Sequence, residues 1–516
     1  MKDYYNRDMT RQMEELFERV DSLTATVKEL RKENKAKDET IKRLNRDVKR
    51  LEATVEKQSS TIKRLETENG QLHQENARLI LKNTVLEEEV TRLKSDRNNN
   101  SGNSSNPPST DQVGGKRANA YNSRKKTGKH KGGQHGHKGT TLTKQTAEEL
   151  IASGQCKHTV RVCGTPNSEH YTTKYELDVN VETEIIEYRI YDDAAESEKP
   201  NSDSDVFYGV RVKALAAELY GVGVVSVKRI QEILSSITSG ILNISAGAIY
   251  GFCRKLSDQA APSLRAIEEC ILDGTTAYTD ATVVTINGKQ AYIRNMSNEK
   301  AVRYYAMEKK NLENLNSIPL LARFAGVLIH DHETALYHFG TAHGECNVHL
   351  IRYLLKNTED CSTTWSAKLQ GLLYDMKAKR ESAASGMLSE AEIAEYIGKY
   401  DEIIRLGKEE NKSTRPKWAK QGEAALLNRL EKYRDNHLLF LKRVDVAFSN
   451  NMSERDLRKC KSRQKIAGGF RNVEGCVMFA NILSLIETAK RQNRNVFDVI
   501  LEVFQSSAPA FNFGMG

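Results

Sequence analysis

From Met13 to Leu93 apolar residues recur at alternating spacings of three and four with no break in register, which is a heptad repeat. With Met13 at position a, most later a positions are Val or Ile, and Asn34, Asn69, Asn76 and Asn83 interrupt them; position d is leucine from Leu16 to Leu93 except at Lys37 and Gln58. No proline falls in the stretch. β-Branched residues at a with leucine at d favour a parallel two-stranded coil, and a buried Asn fixes register. The pattern therefore predicts a parallel homodimeric coiled coil over 13–93, about 120 Å long at ~1.5 Å per residue. A single amphipathic helix lying on a globular core has a wider apolar stripe and seldom keeps a 3.5 period so long.

The periodicity stops at Arg97. Residues 97–145 are rich in Asn, Ser, Gly and Pro, a composition that buries too little apolar surface to fold and predicts a flexible linker. In 146–205, YTTKYELDVNVETEIIEYRIY alternates and is β-branched, which reads as strands of a small β module, followed by an acidic loop from Asp192 to Asp205. Residues 206–272 read as helices, with Ser245 an N-cap; a helix-turn-helix reader of DNA and a plain packing bundle both fit. TTAYTDATVVTINGKQAYIRNMSNEKAVRYYAMEKK then reads as three strands, the first two joined by a tight turn at Asn287 and Gly288. A fourth apolar run, GVLIH, ends at Asp331. Residues 273–340 and 441–516 thus flank a mostly helical stretch, 341–440. At 516 residues the chain exceeds a single core and is read as multidomain α+β.

Charge sharpens this picture. Lys plus Arg number 78 against 69 Asp plus Glu, and the excess gathers in two places. One is the linker segment with Lys116, Arg117, Arg124, Lys125, Lys126, Lys129, Lys131 and Lys138 and no acid; the other holds Arg455, Arg458, Lys459, Lys461, Arg463 and Lys465. A DNA phosphate backbone is the natural partner of both, with a solvated tether the bland alternative for the first. The N-terminus lacks a signal-peptide core and no run approaches ~20 apolar residues, so a soluble, cytoplasmic protein with no membrane partner is expected. The eight cysteines lack the spacing of a secreted scaffold and are expected reduced.

Asp280 lies inside a run of β-formers, Asp331 at a strand end, and Glu454 near a helix start beside the second basic cluster. A carboxylate in a strand is costly without a partner such as a metal ion. Three such acids beside concentrated positive charge suit phosphodiester chemistry with Mg²⁺ or Mn²⁺, where two ions about 4 Å apart serve the attacking and leaving oxygens. Spacing alone does not single these three out among the chain's acids. Cys156, His158, Cys163 and His170 are zinc-ligand types at ragged spacing, without a Cys-x-x-Cys pair.

In order along the chain, a coiled coil, GGQHGHKG, a zinc-finger-like module, a helical segment, YTDAT, HDHETALYH, CNVHLIRYL and NNMSERDLR resemble the insertion-sequence-66 type of DDE transposases. The resemblance spans nearly the whole chain. It implies an RNase H-like catalytic domain with a helical insertion, and Asp280, Asp331 and Glu454 as the metal-binding catalytic triad. It also implies double-stranded DNA partners (terminal inverted repeats and target DNA), a synaptic assembly of more than one copy, and small companion proteins. Two departures stand out. Ser449 occupies a place where the family usually has Asp, and the zinc-binding cysteine pairs are reduced to Cys156 and Cys163, which puts zinc in doubt. Cys346, His349 and Arg352 match a family motif, and a structural helix face is the preferred reading of them. A repurposed dimeric DNA-binding scaffold and a nuclease that cuts without joining are the rival readings.

Overall fold

The computed structural model describes residues 2–100, 103, 104, 142–163, 172–200 and 204–513. The linker cations from Lys116 to Lys138, the GGQHGHKG motif and His170 lie outside the described residues. The chain divides into two units, Met1–Lys94 and Ser95–Gly516. No described helix is long and apolar enough to cross a membrane.

The heptad region forms one uninterrupted helix, α1 (Lys2–Arg97). Its d-position leucines are bare in the single chain; Leu16, Leu51 and Leu72 are each 64% exposed.

In the second unit, α2 (Lys144–Ala152) is followed by a segment that departs from expectation. No strand forms over the described residues 172–191, and Ile185 is 97% exposed. Alternation marks residues that suit a pleated surface, but a strand also needs a neighbour to complete its hydrogen-bond ladder, and none is supplied among the described residues. Cys156 and Cys163 are free thiols and join no cluster of three potential metal ligands there.

Four helices follow: α3 (Val210–Gly221), α4 (Val227–Ile237), α5 (Ala246–Gln259) and α6 (Ala261–Leu272). Ser245 caps α5 by accepting the Ala248 N–H. Next come β1 (Thr276–Ile286), β2 (Lys289–Ser297), β3 (Val302–Met307), α7 (Leu312–Asn316), α8 (Pro319–Arg323), β4 (Val327–His330) and β5 (Ala342–Glu345). Asn287 and Gly288, with φ of 49° and 74°, make the β1–β2 turn in the left-handed conformation it requires. The short polar strand β5 lies in the stretch read as helical. The helical stretch itself is α9 (Asn347–Cys361), α10 (Trp365–Ser382), α11 (Glu390–Asn411), α12 (Lys417–Lys432), α13 (Arg434–His437) and α14 (Leu439–Lys442). The chain closes with α15 (Asn451–Asp456), α16 (Arg458–Ala467), α17 (Val473–Arg491) and α18 (Val496–Gln505).

The five strands form one mixed sheet in the order β3-β2-β1-β4-β5. β2 pairs antiparallel with both β1 and β3, whereas β1, β4 and β5 run parallel. Side chains alternate between faces along each strand, so two cores form. Ala277, Ile293 and Leu328 pack with α3, α5, α6, α17 and α18 on one face; Tyr278, Val327 and Ile329 pack with α9 to α12 on the other.

The second face is also held by a buried polar hub. Glu345, ending β5, accepts hydrogen bonds from Arg429 of α12 at 2.8 Å, from His437 of α13 at 3.1 Å and from Tyr337. His332 lies 3.2 Å away. Burial alone would push the Glu345 carboxyl up, but His332, His437 and Arg429 together hold it far below the usual carboxylate range.

Candidate active site

Register brings the first two acids together. Parallel pairing of β1 and β4 runs through Tyr278↔Ile329 and Thr279↔His330, so the next step along both strands sets Asp280 beside Asp331. By alternation both project on the face of Tyr278 and Ile329, where α9 begins. The Asp280 backbone N–H donates to Asn295 Oδ1 at 3.1 Å, and Asp280 Oδ1 accepts the Ala281 N–H at 2.6 Å. Burial, then the charge of Asp331, pushes Asp280 up to about 6.

Glu454 arrives on the first turn of α15, whose place is set by polar ties to the sheet. Asn450 donates its Nδ2 to the Thr279 carbonyl at 3.0 Å and its backbone N–H to Cys346 Sγ at 3.2 Å. Ser453 donates to Asn295 Oδ1 at 2.5 Å, and Asn295 Nδ2 donates to Asp456, which Arg491 grips with bonds of 2.6 and 2.7 Å. Asn295 is fully buried and serves β1 and α15 at once. Behind it the fully buried Arg294 bonds Thr279 Oγ1 at 3.1 Å and both oxygens of Glu333 at 2.6 and 2.7 Å.

The start of α9 completes the cluster. Ligand atoms of Asp331, Cys346, His349 and Glu454 all lie within 4.8 Å of one another. His349 Nδ1 is 2.9 Å from Asp331 Oδ1 and 3.6 Å from Glu454 Oε1, within ion-pair range of both and aligned with neither as a hydrogen bond. Burial pushes the Asp331 carboxyl up, but His349, with His330 and Arg352, brings it below its ordinary value; reciprocally, Asp331 lifts the His349 imidazole well above its own against the effect of burial. Asp331 Oδ1 and Glu454 Oε1 are buried and make no hydrogen bond. Buried carboxylate oxygens without donors are costly, and hard oxygens converging on one point fit a divalent cation. Asp280 is not within that four-residue group; it stands one register step from Asp331, whose charge it feels.

The second basic cluster divides. Arg455, Arg458, Lys461 and Lys465 are exposed, the last three at i, i+3 and i+7 along one face of α16. Lys459 donates to the Val222 carbonyl at 2.6 Å, tying α16 to α3. Arg463 is buried, its guanidinium 4.5 Å from the Tyr220 ring and near Phe470 and Phe479. It packs rather than facing solvent, unlike the surface cation its sequence context predicts. Sequence reasoning missed Asn295, Asn450 and Arg294 as supports of the site. Cys346, His349 and Arg352 carried a legible signal, a shared helix face, without a role attached.

Acids gathered against a mixed sheet and cations exposed along α16 are features that suit an enzyme acting on DNA. The Transposase IS66 family matches residues 206–478, more than half of the 516-residue chain, and the protein belongs to that family. A family of unknown function matches residues 9–143. No curated protein matches the chain.

Proposed function

We propose that the protein is a DDE transposase that cuts DNA at the terminal inverted repeats of an insertion sequence and joins the released 3′-hydroxyls to target DNA. The observation that supports this reading is the closeness of Asp331, at a strand end, and Glu454, on a helix, with Asp280 one register step from Asp331 on the neighbouring strand. The five-stranded mixed sheet with helices on both faces supports the RNase H-like catalytic domain that the family resemblance implies. Asp280, Asp331 and Glu454 would hold Mg²⁺ or Mn²⁺, whose Lewis acidity lowers the pKa of an attacking water or hydroxyl and stabilises the leaving oxygen.

The chain's own residues supply the rest. Arg455, Arg458, Lys461 and Lys465 hold the phosphate backbone next to the acids. Asn295 takes the Asp280 backbone N–H and Arg294 braces the Thr279 side chain beside it, so that Asp280 is placed before substrate arrives. The bare leucines of α1 call for a second copy of the same helix, because an apolar seam left in water is unfavourable; a parallel dimer would pair two catalytic domains for the two ends of one element.

Purified protein incubated with Mg²⁺ and terminal-inverted-repeat DNA tests the reading. Nicking and strand joining are expected. Cutting without joining would make the protein a nuclease, and binding without cutting a repurposed scaffold.

A further inference from the structure

Cys346, His349 and Arg352 stand at i, i+3 and i+6 across the start of α9, on one side of the helix. That side meets two separate acids. Arg352 Nη1 lies 3.2 Å from His349 Nε2, and His349 Nδ1 faces Asp331 and Glu454 at 2.9 and 3.6 Å. Arg352 stands at Nε2 and both acids stand at Nδ1, so the ring is held in one orientation and Nδ1 is the nitrogen placed to donate toward the carboxylates. That atom lies between two carboxylates that belong to different elements, the end of β4 and the first turn of α15. Without the imidazole between them, two like charges on half-buried side chains push the elements apart. Cys346, one turn earlier, takes the Asn450 N–H, so the same helix face also holds the residue that opens α15.

We propose that His349 is a positioning residue: oriented by Arg352, it holds Asp331 and Glu454 at the separation that divalent cation binding requires. This rests on the carboxylate site described above, and it gives the Cys-x-x-His-x-x-Arg motif a physical role. His349 acts through the carboxylates and need not touch the DNA.

Manganese binding to the full-length chain, followed by electron paramagnetic resonance, tests the role without relying on turnover. His349→Ala should weaken Mn²⁺ binding by about 10- to 100-fold, the usual effect of losing a residue that orients metal ligands. His349→Asn, whose Nδ2 can stand near the place of the imidazole Nδ1, should recover most of it. DNA binding should be unchanged in both. Wild-type Mn²⁺ affinity in H349A, or a loss in H349N as deep as in H349A, would overturn the proposal. If H349A does not fold, Arg352→Met carries the test: weaker Mn²⁺ binding supports the role, and unchanged binding overturns it. Asp331→Asn is the reference. If wild type and D331N alike bind no Mn²⁺, the carboxylate site itself fails; if D331N loses binding that H349A keeps, only the role of His349 fails.

Discussion

Asp280 and Asp331 stand one step beyond the Thr279↔His330 pair of the parallel ladder, on strands that such pairing holds about 4.8 Å apart. Burial is the first cause of the rise of Asp280 to about 6, and the like charge of Asp331 so close adds to it. The same pair yields a double prediction. Asp280→Asn and Asp331→Asn should each lower DNA cutting by at least about a thousand-fold, equivalent to ~4 kcal/mol, and leave DNA binding intact. In the absence of divalent cations, however, D280N should melt at the wild-type temperature or above it, because the substitution removes a poorly tolerated charge. Retained cutting in either variant would sink the assignment.

The hub around Glu345 sets an acid limit on stability. Burial, then His330, pushes His343 down to about 4, and burial pushes His437 down as well. Below the ordinary His value of about 6.5 the unfolded chain takes up protons that these native side chains refuse, so stability falls as pH drops from about 6.5 toward 4. Glu345, held low in the native state, contributes stability that is complete above about 4.3 and is lost at more acid pH. The melting temperature should therefore decline steadily from neutral pH downward, and His343→Gln should flatten the slope above pH 4. Glu345→Ala should cost about 3–5 kcal/mol in urea unfolding, since it strands Arg429 and His437 in the interior.

The two kinds of cation on α16 should separate under mutation. Lys461→Ala should weaken DNA binding and lower the slope of log K against log salt by about 0.9, with little change in melting. Arg463→Ala should do the reverse and destabilise the fold, since its guanidinium packs on Tyr220. Equal effects on salt slope would contradict the division.

Light scattering on the full-length chain should report a dimer, and deletion of residues 13–93 should reduce it to a smaller species. A monomeric full-length protein would remove the basis for pairing two catalytic domains through α1.

Much of this was legible in the residue pattern because local rules governed it. The heptads predicted an unbroken helix, and Asn287-Gly288 with its flanking β-formers predicted the β1–β2 hairpin. Asp280 was found inside its strand for the same reason. What failed depended on partners distant in the chain. The alternation in 172–191 carried strand preference without a neighbour, and β5, with the sequence AHGE, owes its strand to β4 rather than to its own polar residues. Asn295 looks ordinary in sequence; its importance comes from bonds to Ser453 and Asp456, more than 150 residues away. Arg463 was read as a surface cation because charge runs reveal composition, and burial beneath Tyr220 and Phe479 is a tertiary fact.

The long passage through α9 to α14 has a consequence for the chain as it is made. Glu454 follows Asp331 by 123 residues, and translation proceeds at roughly 5–20 residues per second. For several seconds a nascent chain can carry both aspartates and their strands while its glutamate has not yet been synthesised. On the proposed function, such a chain, or any product truncated ahead of Asn450, would have the beginnings of a site without completing it, so cutting competence would wait until Glu454 has been translated.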